Sequence, residues 1–500
     1  MLRYPLSGLP WGSEETLMGR RRRLRRGHVV AAALLVVAGM ATPLAAYGEG
    51  TWVSPAIVNG AASAPPACAA GMTCVRVDAT DVLGPVDLVA QGLLFGVDDT
   101  TSQALVDALH PTSWRIAGAG QPFSVARSSG AAVTDILSDQ WYNSHPGPNV
   151  QPPWDNWPAY ATWLQQTVKA TMAAGQIPDY WEVQNEPDGW YQSIPPESTD
   201  QALYQYQLAT GIIRSIVPNA KIEGPSLLGF FDTPGQPTID MTTFLAFVNA
   251  HNLPLDALSW HEVIGAAVDR NPDIVVTHVA QARFLLSKYP RLAHIPIFVN
   301  EYSSNATHLI PGWAVGWMAA LEQAGVAEAS RACWHEPDVF GNSIAECNEG
   351  GLDGLLQPGS GLPQDLYWVH AAYGSMTGDR VATTSTDPNV SAYATYDPTT
   401  GTIAVLVGRH ASCTAAVRVD CTEPASATPP PEPVVVQIRT PRGWVAASVE
   451  TSQIANTPGP QAPPVAVPAG VLPASQLDIP LGGSTGFVDG DAYGITVSNL

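Results

Sequence analysis

Between about residues 90 and 372, short apolar runs alternate with longer segments whose apolar residues recur three or four positions apart. That spacing is the period of an amphipathic helix, and short apolar runs bounded by turn residues are typical of buried parallel strands. Eight runs have this character, at 92–97, 113–117, 136–141, 180–184, 221–224, 257–261, 297–300 and 330–334. Helical segments separate them, including 157–174, 202–216, 241–249, 274–288 and 311–324, and a last one lies at 364–373. Eight such units predict an α/β fold of the (β/α)8 TIM barrel type over residues 88–374.

A doubly wound parallel sheet is the alternative for the same alternation. Nucleotide-binding sheets of that type carry a Gly-rich phosphate loop after the first strand. No such loop follows residues 92–97, so the closed barrel is favoured.

The pattern changes after about residue 375. Helical periodicity ends, and short alternating runs separated by turn residues continue toward the C terminus. This is the pattern of a β-sandwich, which we place at residues 375–500. Residues 74–79 (CVRVDA), in the segment 47–87 that precedes the barrel, also read as a strand and could complete the sandwich.

The first 46 residues have the layout of a signal peptide. A run of arginines at 20–26 precedes an apolar stretch from residue 29 to about residue 40, and small residues follow up to Ala46. The apolar stretch is too short to span a bilayer comfortably, so cleavage is favoured over anchoring. The sequence leaves open whether export follows the general or the twin-arginine route. We expect a secreted protein, extracellular or associated with a cell wall.

The six cysteines agree with export. Fifteen pairings of six cysteines are possible, but local pairing is expected because a short loop closes easily in an oxidising compartment. The three close pairs are Cys68/Cys74, Cys333/Cys347 and Cys413/Cys421.

Composition excludes two classes of partner. The chain of 500 residues has a formal net charge of −21, whereas a non-specific nucleic-acid binder needs Lys and Arg to displace phosphate counterions. Beyond the leader, no segment is long and apolar enough for a membrane helix, so no stable membrane insertion is expected after cleavage. The 15 Trp residues suit a protein that stacks aromatic rings on a ligand, although some must belong to the core.

Two segments place a glutamate at the carboxyl end of a predicted barrel strand. The fourth strand runs into Asn185 and Glu186 in YWEVQNEPD, and the seventh runs into Glu301 in PIFVNEY. TIM-barrel active sites form on this face, and the two strands lie across the mouth from each other. Glycoside hydrolysis needs two facing carboxyl groups, one protonated for the leaving oxygen and one ionised to attack the sugar carbon or activate water. An isolated Asn-Glu-Pro indicates only a turn or helix start, so the catalytic hypothesis depends on finding both glutamates, Glu186 and Glu301, at strand ends.

With these motifs the chain resembles the clan A glycoside hydrolases, and within them family 39, which includes β-xylosidases and α-L-iduronidases. The resemblance rests on WEVQNEPD, on IFVNEYS and on the flanking sandwich, and it covers residues from about 90 to the C terminus. It implies a retaining enzyme in which Glu186 is the general acid/base and Glu301 the nucleophile, while Asn185 bonds the sugar 2-hydroxyl. Gln184 and Asp188 flank the Asn-Glu-Pro where related enzymes often carry other residues.

Four further residues are implied by the same resemblance. Arg115, in SWRIA on the second strand, matches the clan's arginine that holds the nucleophile ionised. His261 ends the sixth strand, where related enzymes keep a histidine near the catalytic centre. Tyr302 is expected to hydrogen-bond the nucleophile or the sugar, and Trp334 to form a platform for the sugar's apolar face. Core packing is the alternative for each of the last three.

The tripeptide Trp-His-Glu occurs at both 260–262 and 334–336, at two strand ends on the same face. A metal site built from these two histidines and two glutamates is therefore an alternative. No single segment has HExxH-type spacing, and we predict neither a metal nor a cofactor.

The sequence thus predicts a secreted retaining glycosidase whose partner is a carbohydrate substrate. A barrel that binds carbohydrate without turnover and a metal-dependent hydrolase are the alternatives. No sugar specificity, exo or endo mode or oligomeric state follows from the sequence.

Overall fold

The computed structural model describes residues 68–118, 120–144, 152–188, 198–231, 239–264, 271–337, 343–347, 349–412, 429–457, 459–475 and 477–500. The predicted leader at 1–46 and the predicted Cys413/Cys421 disulfide lie outside these residues.

A first strand, β1 (Thr73–Pro85), precedes eight parallel strands that pair in chain order, which confirms the predicted (β/α)8 fold. The barrel strands are β2 (Leu93–Leu94), β3 (Ser113–Ile116), β4 (Ala132–Ile136), β5 (Tyr180–Glu182), β6 (Ile222–Leu227), β7 (Ala257–Glu262), β8 (Ile297–Tyr302) and β9 (Glu328–Arg331). The helices that follow them are α1 (Gln103–Asp107), α2 (Gln121–Ser129), α3 (Leu137–Ser144), α4 (Trp157–Ala173), α5 (Thr199–Ile216), α6 (Met241–Ala250), α7 (Ile274–Ser287), α8 (Pro311–Ala324) and α9 (Asp365–Gly374).

The barrel closes at Gly92. A parallel bridge joins Gly92 to Ser330, and the Arg331 amide donates to the Gly92 carbonyl at 3.0 Å. A Cβ atom at Gly92 would lie 2.4 Å from the Ala329 carbonyl oxygen, so only glycine allows the first and last strands to approach this closely.

The third barrel strand differs from its prediction. We expected it at 136–141, but the strand is Ala132–Ile136, and the helix Leu137–Ser144 follows at once. Leu137 and Trp141 are both buried and lie four residues apart, which is the spacing of one helix face. The apolar run therefore belonged to the start of a helix.

The second sheet has nine strands and forms the predicted β-sandwich. Its strands are β1, β12 (Asp379–Ser385), β13 (Val390–Asp397), β14 (Thr402–Arg409), β15 (Val434–Arg439), β16 (Ala446–Ile454), β17 (Val467–Pro473), β18 (Leu477–Leu481) and β19 (Ala492–Asn499). A short hairpin, β10 (Glu336–Pro337) and β11 (Ser343–Ala345), lies between the barrel and α9. The strand β1 lies between β12, to which it is antiparallel, and β15, to which it is parallel. Val77, Val405 and Val449 from separate strands of the sheet share one buried core.

The barrel and the sandwich contact each other through α8. The Gly312 amide donates to the Gly490 carbonyl at 2.7 Å, and Trp313 Nε1 donates to the Ser412 carbonyl at 3.0 Å. A Cβ atom at Gly312 would lie 2.0 Å from the Arg409 carbonyl oxygen, so the helix backbone packs directly against the end of β14.

Two of the predicted disulfides are present, Cys68–Cys74 and Cys333–Cys347. The second joins the segment after β9 to the segment after β11, close to the carboxyl end of the barrel. In the described part of the chain, no helix combines the length and apolarity needed to cross a bilayer.

Five of the Trp residues lie in the core and leave at most 2% of their surface exposed. They are Trp114, Trp181, Trp260, Trp313 and Trp317. Much of the aromatic content therefore packs strands against helices instead of lining the barrel mouth.

Candidate active site

Glu186 and Glu301 meet at the carboxyl-terminal mouth of the barrel. Glu186 follows β5, the fourth barrel strand, and Glu301 lies near the end of β8, the seventh. One carboxyl oxygen of Glu186 lies within 4.8 Å of one carboxyl oxygen of Glu301. The Glu186 side chain is 20% exposed and that of Glu301 13% exposed, so both reach the solvent-filled mouth.

Arg115 lies below the two glutamates and is only 3% exposed. Its Nη1 donates to Glu301 Oε1 at 2.9 Å, and its Nη2 donates to Asn185 Oδ1 at 3.2 Å. Its Nε and Nη2 also form a forked pair with Glu182 at 3.0 and 2.7 Å. Burial lowers the pKa of Arg115, but the carboxylates of Glu182 and Glu301 raise it by more, and the guanidinium stays charged.

Two β-bulges supply the residues that surround this guanidinium. Along β6 and β7, Pro225 pairs with Ser259 and Leu227 with Trp260, so Ser226 is an extra residue. Along β7 and β8, Trp260 pairs with Val299 and His261 with Glu301, so Asn300 is an extra residue. A bulge breaks the alternation of side chains between the two faces of a strand. Neighbouring residues such as Asn300 and Glu301 can therefore both face the barrel interior.

Two residues at the mouth adopt left-handed backbone conformations. Glu186 has φ 50° and Ser226 has φ 55°, which is a disfavoured region for residues with a Cβ atom. The Glu186 amide donates to the Ser226 carbonyl at 2.8 Å. This hydrogen bond links the two strained positions and fixes where the Glu186 side chain leaves the backbone.

His261 lies between the two glutamates and is completely buried. Its Nδ1 is 3.0 Å from Glu186 Oε1 and 3.8 Å from Glu301 Oε2, while its Nε2 is 3.1 Å from Ser226 Oγ. Burial lowers the pKa of His261, but the carboxylates of Glu301 and Glu186 together raise it above the ordinary value.

The floor of the site holds a second carboxyl pair. Asn300 Nδ2 donates to Glu182 Oε2 at 3.1 Å and to Glu223 Oε1 at 2.9 Å. Burial and the neighbouring Glu182 raise the pKa of Glu223 well above its usual range. Burial also raises the pKa of Glu182, but Arg115 outweighs it and the net pKa is lowered. We therefore treat Glu182 as ionised and Glu223 as protonated.

Three aspartates around the mouth have raised pKa values. Burial raises the pKa of Asp135 to about 6, and the pKa values of Asp139 and Asp188 to about 7. The Glu182 carboxylate adds to the shift of Asp139. Burial therefore favours the protonated form of these three carboxyl groups.

Tyr302 does not take the predicted place. Its hydroxyl donates to the Ala90 carbonyl at 2.7 Å, and its ring packs 5.9 Å from that of Trp317 in α8. The bulge explains this, because Asn300 and Glu301 both face inward and Tyr302 then faces the helices. The predicted hydrogen bond from Tyr302 to the nucleophile or the sugar is therefore wrong. The alternative, core packing, fits the structure.

Trp334 lies at the mouth and is half-buried. Its Nε1 donates to the Ser303 carbonyl at 3.2 Å, two residues beyond Glu301. Its ring therefore lies next to the end of β8, where a sugar-binding platform was predicted.

The Trp-His-Glu residues do not form a common metal site. Glu262 accepts hydrogen bonds from Trp260 Nε1 and pairs with His278 of α7, both at 2.7 Å, so it lies behind the barrel wall while His261 faces the interior. His335 pairs with Glu346 after the hairpin. Among the described residues, a different set, Glu186, His261 and Glu301, has ligand atoms close enough to hold a metal ion.

Several residues of the site were not predicted. Ser226, Glu223, Asn300 and Glu182 connect the two predicted glutamates through buried hydrogen bonds. Only Glu182 gave a sequence signal, since it has the same strand parity as Glu186.

No protein-family model and no curated protein matches this chain. Solved structures do match. The protein designated N2152 from Neocallimastix frontalis has a TM-score of 0.64 at 21% identity, covering 86% of this chain and 100% of that one. A monomeric β-xylosidase from Caulobacter crescentus CB15 has a TM-score of 0.56 at 17% identity, covering 85% and 99%. The GH39 enzyme from Xanthomonas axonopodis pv. citri also has a TM-score of 0.56 at 17% identity, covering 85% and 97%.

The chain shares the fold of these enzymes. The likeness includes both the barrel and the sandwich, because nearly the whole length of each neighbour is covered. The family 39 resemblance therefore holds for the fold, and at these identities the fold is what the comparison establishes.

Proposed function

We propose that the protein is a retaining glycoside hydrolase, with Glu301 as nucleophile and Glu186 as general acid/base. The observation that carries the proposal is the closeness of two partly exposed carboxyl groups on the fourth and seventh barrel strands, one bound by an arginine and the other by a histidine. Carboxyl groups about 5 Å apart suit double displacement, since inverting enzymes need a wider gap to admit water.

In the first step Glu301 attacks the anomeric carbon of the bound sugar. The bond from that carbon to the leaving oxygen breaks, and Glu186 gives its proton to this oxygen. Arg115 holds Glu301 Oε1 at 2.9 Å, which sets a positive charge beside the carboxyl group and leaves its other oxygen for the sugar. The product is a glycosyl ester on Glu301.

In the second step a water molecule attacks the same carbon from the side that the leaving group vacated. Glu186, now a carboxylate, takes the proton of this water, and Glu301 leaves as a carboxylate. Two inversions give overall retention of configuration. Asn185, whose Oδ1 is held by Arg115, is in place to donate its amide to the sugar 2-hydroxyl.

The proposed substrate is an O-glycoside of an oligosaccharide or polysaccharide, and a β-xyloside is the first candidate. Two proteins of similar structure, a β-xylosidase and a GH39 enzyme, support this choice. We also propose that the protein is exported with removal of residues 1–46. The leader pattern and the two described disulfides support export.

The test is trapping of the glycosyl ester. A 2-deoxy-2-fluoro glycoside with a good leaving group slows hydrolysis of the ester, and mass spectrometry of peptides then locates the labelled residue. We expect the label on Glu301, and NMR of the first-formed product should show retained anomeric configuration. Labelling of another residue would reject the nucleophile assignment, and an inverted product would reject the mechanism.

A further inference from the structure

Ser226 lies beneath the proposed catalytic pair and is completely buried. Its Oγ is 2.8 Å from Glu182 Oε1, 3.1 Å from Asn300 Nδ2 and 3.1 Å from His261 Nε2. We propose that this hydroxyl is a positioning group: it sets the tautomer of His261, so that His261 and Glu186 hold one proton between them. The functional consequence of this proposal rests on the proposed glycosidase activity.

The hydrogen bonds of Glu182 decide what Ser226 donates. Glu182 Oε2 accepts from Arg115 Nε and Asn300 Nδ2, and Glu182 Oε1 accepts from Arg115 Nη2 and Ser226 Oγ. Glu223 also forms a side-chain hydrogen bond with Glu182, so the neighbours of this carboxylate all act as donors. An ionised carboxylate cannot donate, so the single hydrogen of Ser226 points to Glu182.

The two lone pairs of Ser226 Oγ must then accept. One faces Asn300 Nδ2, whose two hydrogens are shared among Ser226 Oγ, Glu182 Oε2 and Glu223 Oε1. The other faces His261 Nε2, which must therefore carry a hydrogen. In the opposite tautomer, lone pairs of Nε2 and Oγ would face each other at 3.1 Å, in a buried site where water cannot screen them.

A protonated Nε2 determines what His261 presents to Glu186. In neutral His261 the Nδ1 lone pair points at Glu186 Oε1, 3.0 Å away. A contact of this length needs one hydrogen, which is carried either by the carboxyl group or by the imidazolium. The pair therefore holds one shared proton.

The charged groups around His261 agree with this assignment. The carboxylates of Glu301 and Glu186 favour the imidazolium, whereas burial and Arg115 disfavour it. Glu182, from β5, and Asp188, from the loop after it, also interact with His261 electrostatically. Glu223 on the neighbouring strand β6 is protonated and adds no charge.

The shared proton matches what the proposed cycle needs. In the first step it passes from Glu186 Oε1 to the leaving oxygen, and the pair becomes neutral His261 with ionised Glu186. In the second step the attacking water gives a proton back to the same pair. Because His261 keeps its Nε2 hydrogen throughout, its Nδ1 can take up or release the proton without turning the ring.

The direct test is ¹⁵N NMR of protein labelled in its histidines, at the pH of maximal activity, where the pair holds its shared proton. Protonated and unprotonated ring nitrogens have well separated shifts, and the His261 signals are assigned by their loss in His261→Gln. We expect a protonated Nε2 in the wild type. In Ser226→Ala we expect an unprotonated Nε2, because this nitrogen loses its acceptor while Nδ1–H can donate to ionised Glu186. A wild-type spectrum with Nε2 unprotonated would overturn the proposal.

The kinetic test compares Ser226→Ala with Ser259→Ala. Ser259 lies on the adjacent strand β7, is also completely buried, and has no hydrogen-bond partner for its Oγ among the described residues. Loss of one buried hydrogen bond should shift the alkaline limb of kcat/KM in Ser226→Ala by about one pH unit toward acid, since the shared proton leaves more easily. At pH values above that limb, kcat/KM of Ser226→Ala should be about tenfold below that of the wild type. Ser259→Ala should keep the alkaline limb of the wild type.

Equal shifts in the two variants would overturn the proposal, because a cavity alone would then explain them. If Ser226→Ala does not fold, Ser226→Gly removes the same hydroxyl and suits φ 55°. The same tautomer reversal in a protein that hydrolyses no glycoside would support the role of Ser226 and reject the proposed function.

Discussion

Glu182→Gln should mainly lower stability and Glu301→Gln should mainly lower activity, although both residues bind the same guanidinium. Glu182 is completely buried and accepts two bonds from Arg115, one from Ser226 and one from Asn300. A glutamine in its place turns one oxygen into an NH2 group that faces donors. Breaking a buried ion pair by removing one partner costs about 3–5 kcal/mol. Glu301 makes one contact with Arg115, and a glutamine keeps an amide oxygen that can accept from it, so this replacement should cost about 1 kcal/mol.

The assay is thermal unfolding at pH 7 together with turnover of a chromogenic glycoside. For a chain of this size, 1 kcal/mol corresponds to a change in Tm of about 1 °C, so Glu182→Gln should unfold about 3–5 °C earlier than wild type. Its kcat should fall about 10- to 100-fold, because Arg115 is less well oriented toward Glu301. Glu301→Gln should unfold within about 1 °C of wild type, while its kcat falls by at least about 10⁴-fold because the nucleophile is lost. A Glu182→Gln variant as stable as wild type would refute the reading of the barrel floor as a charge-paired network.

Three further outcomes follow from single residues. Glu186→Ala should lose kcat steeply for poor leaving groups and much less for activated aryl glycosides, since only the former need protonation; equal losses across a leaving-group series would contradict the acid role. Trp334→Ala should raise KM about tenfold with little change in kcat, as expected for loss of a stacking surface used equally in ground and transition states; an unchanged KM would place Trp334 outside the sugar site. Burial and Asp179 raise the pKa of Glu328 to about 7 from its ordinary value of 4.5. Its folded state therefore binds a proton more tightly than the unfolded chain, and its contribution to stability is lost as pH rises from about 4.5 to 7. Glu328→Gln should thus match wild type at about pH 4 and be more stable at about pH 8, by up to about 3 kcal/mol in denaturant titrations; equal stability at the higher pH would show that Glu328 is solvated.

The fold was largely predictable because its evidence is local. Strand and helix periodicities recur along the chain, and each can be recognised within a dozen residues. The one displaced strand, β4, failed where Ile136 ends the strand and Leu137 starts the helix without a turn between them. Nothing in the apolar spacing marks that boundary.

For the candidate site, the sequence by itself determined which residues stand at the strand ends: Glu186, Glu301, Arg115 and His261. The tertiary structure alone decided how their side chains point. Two one-residue bulges turn Ser226 and Asn300 inward and move Tyr302 to the helix side. A bulge depends on the register between neighbouring strands, which is set by hydrogen bonds between residues far apart in the chain. No local pattern of side chains records that register, and so the network under the two glutamates appears only once the barrel has closed.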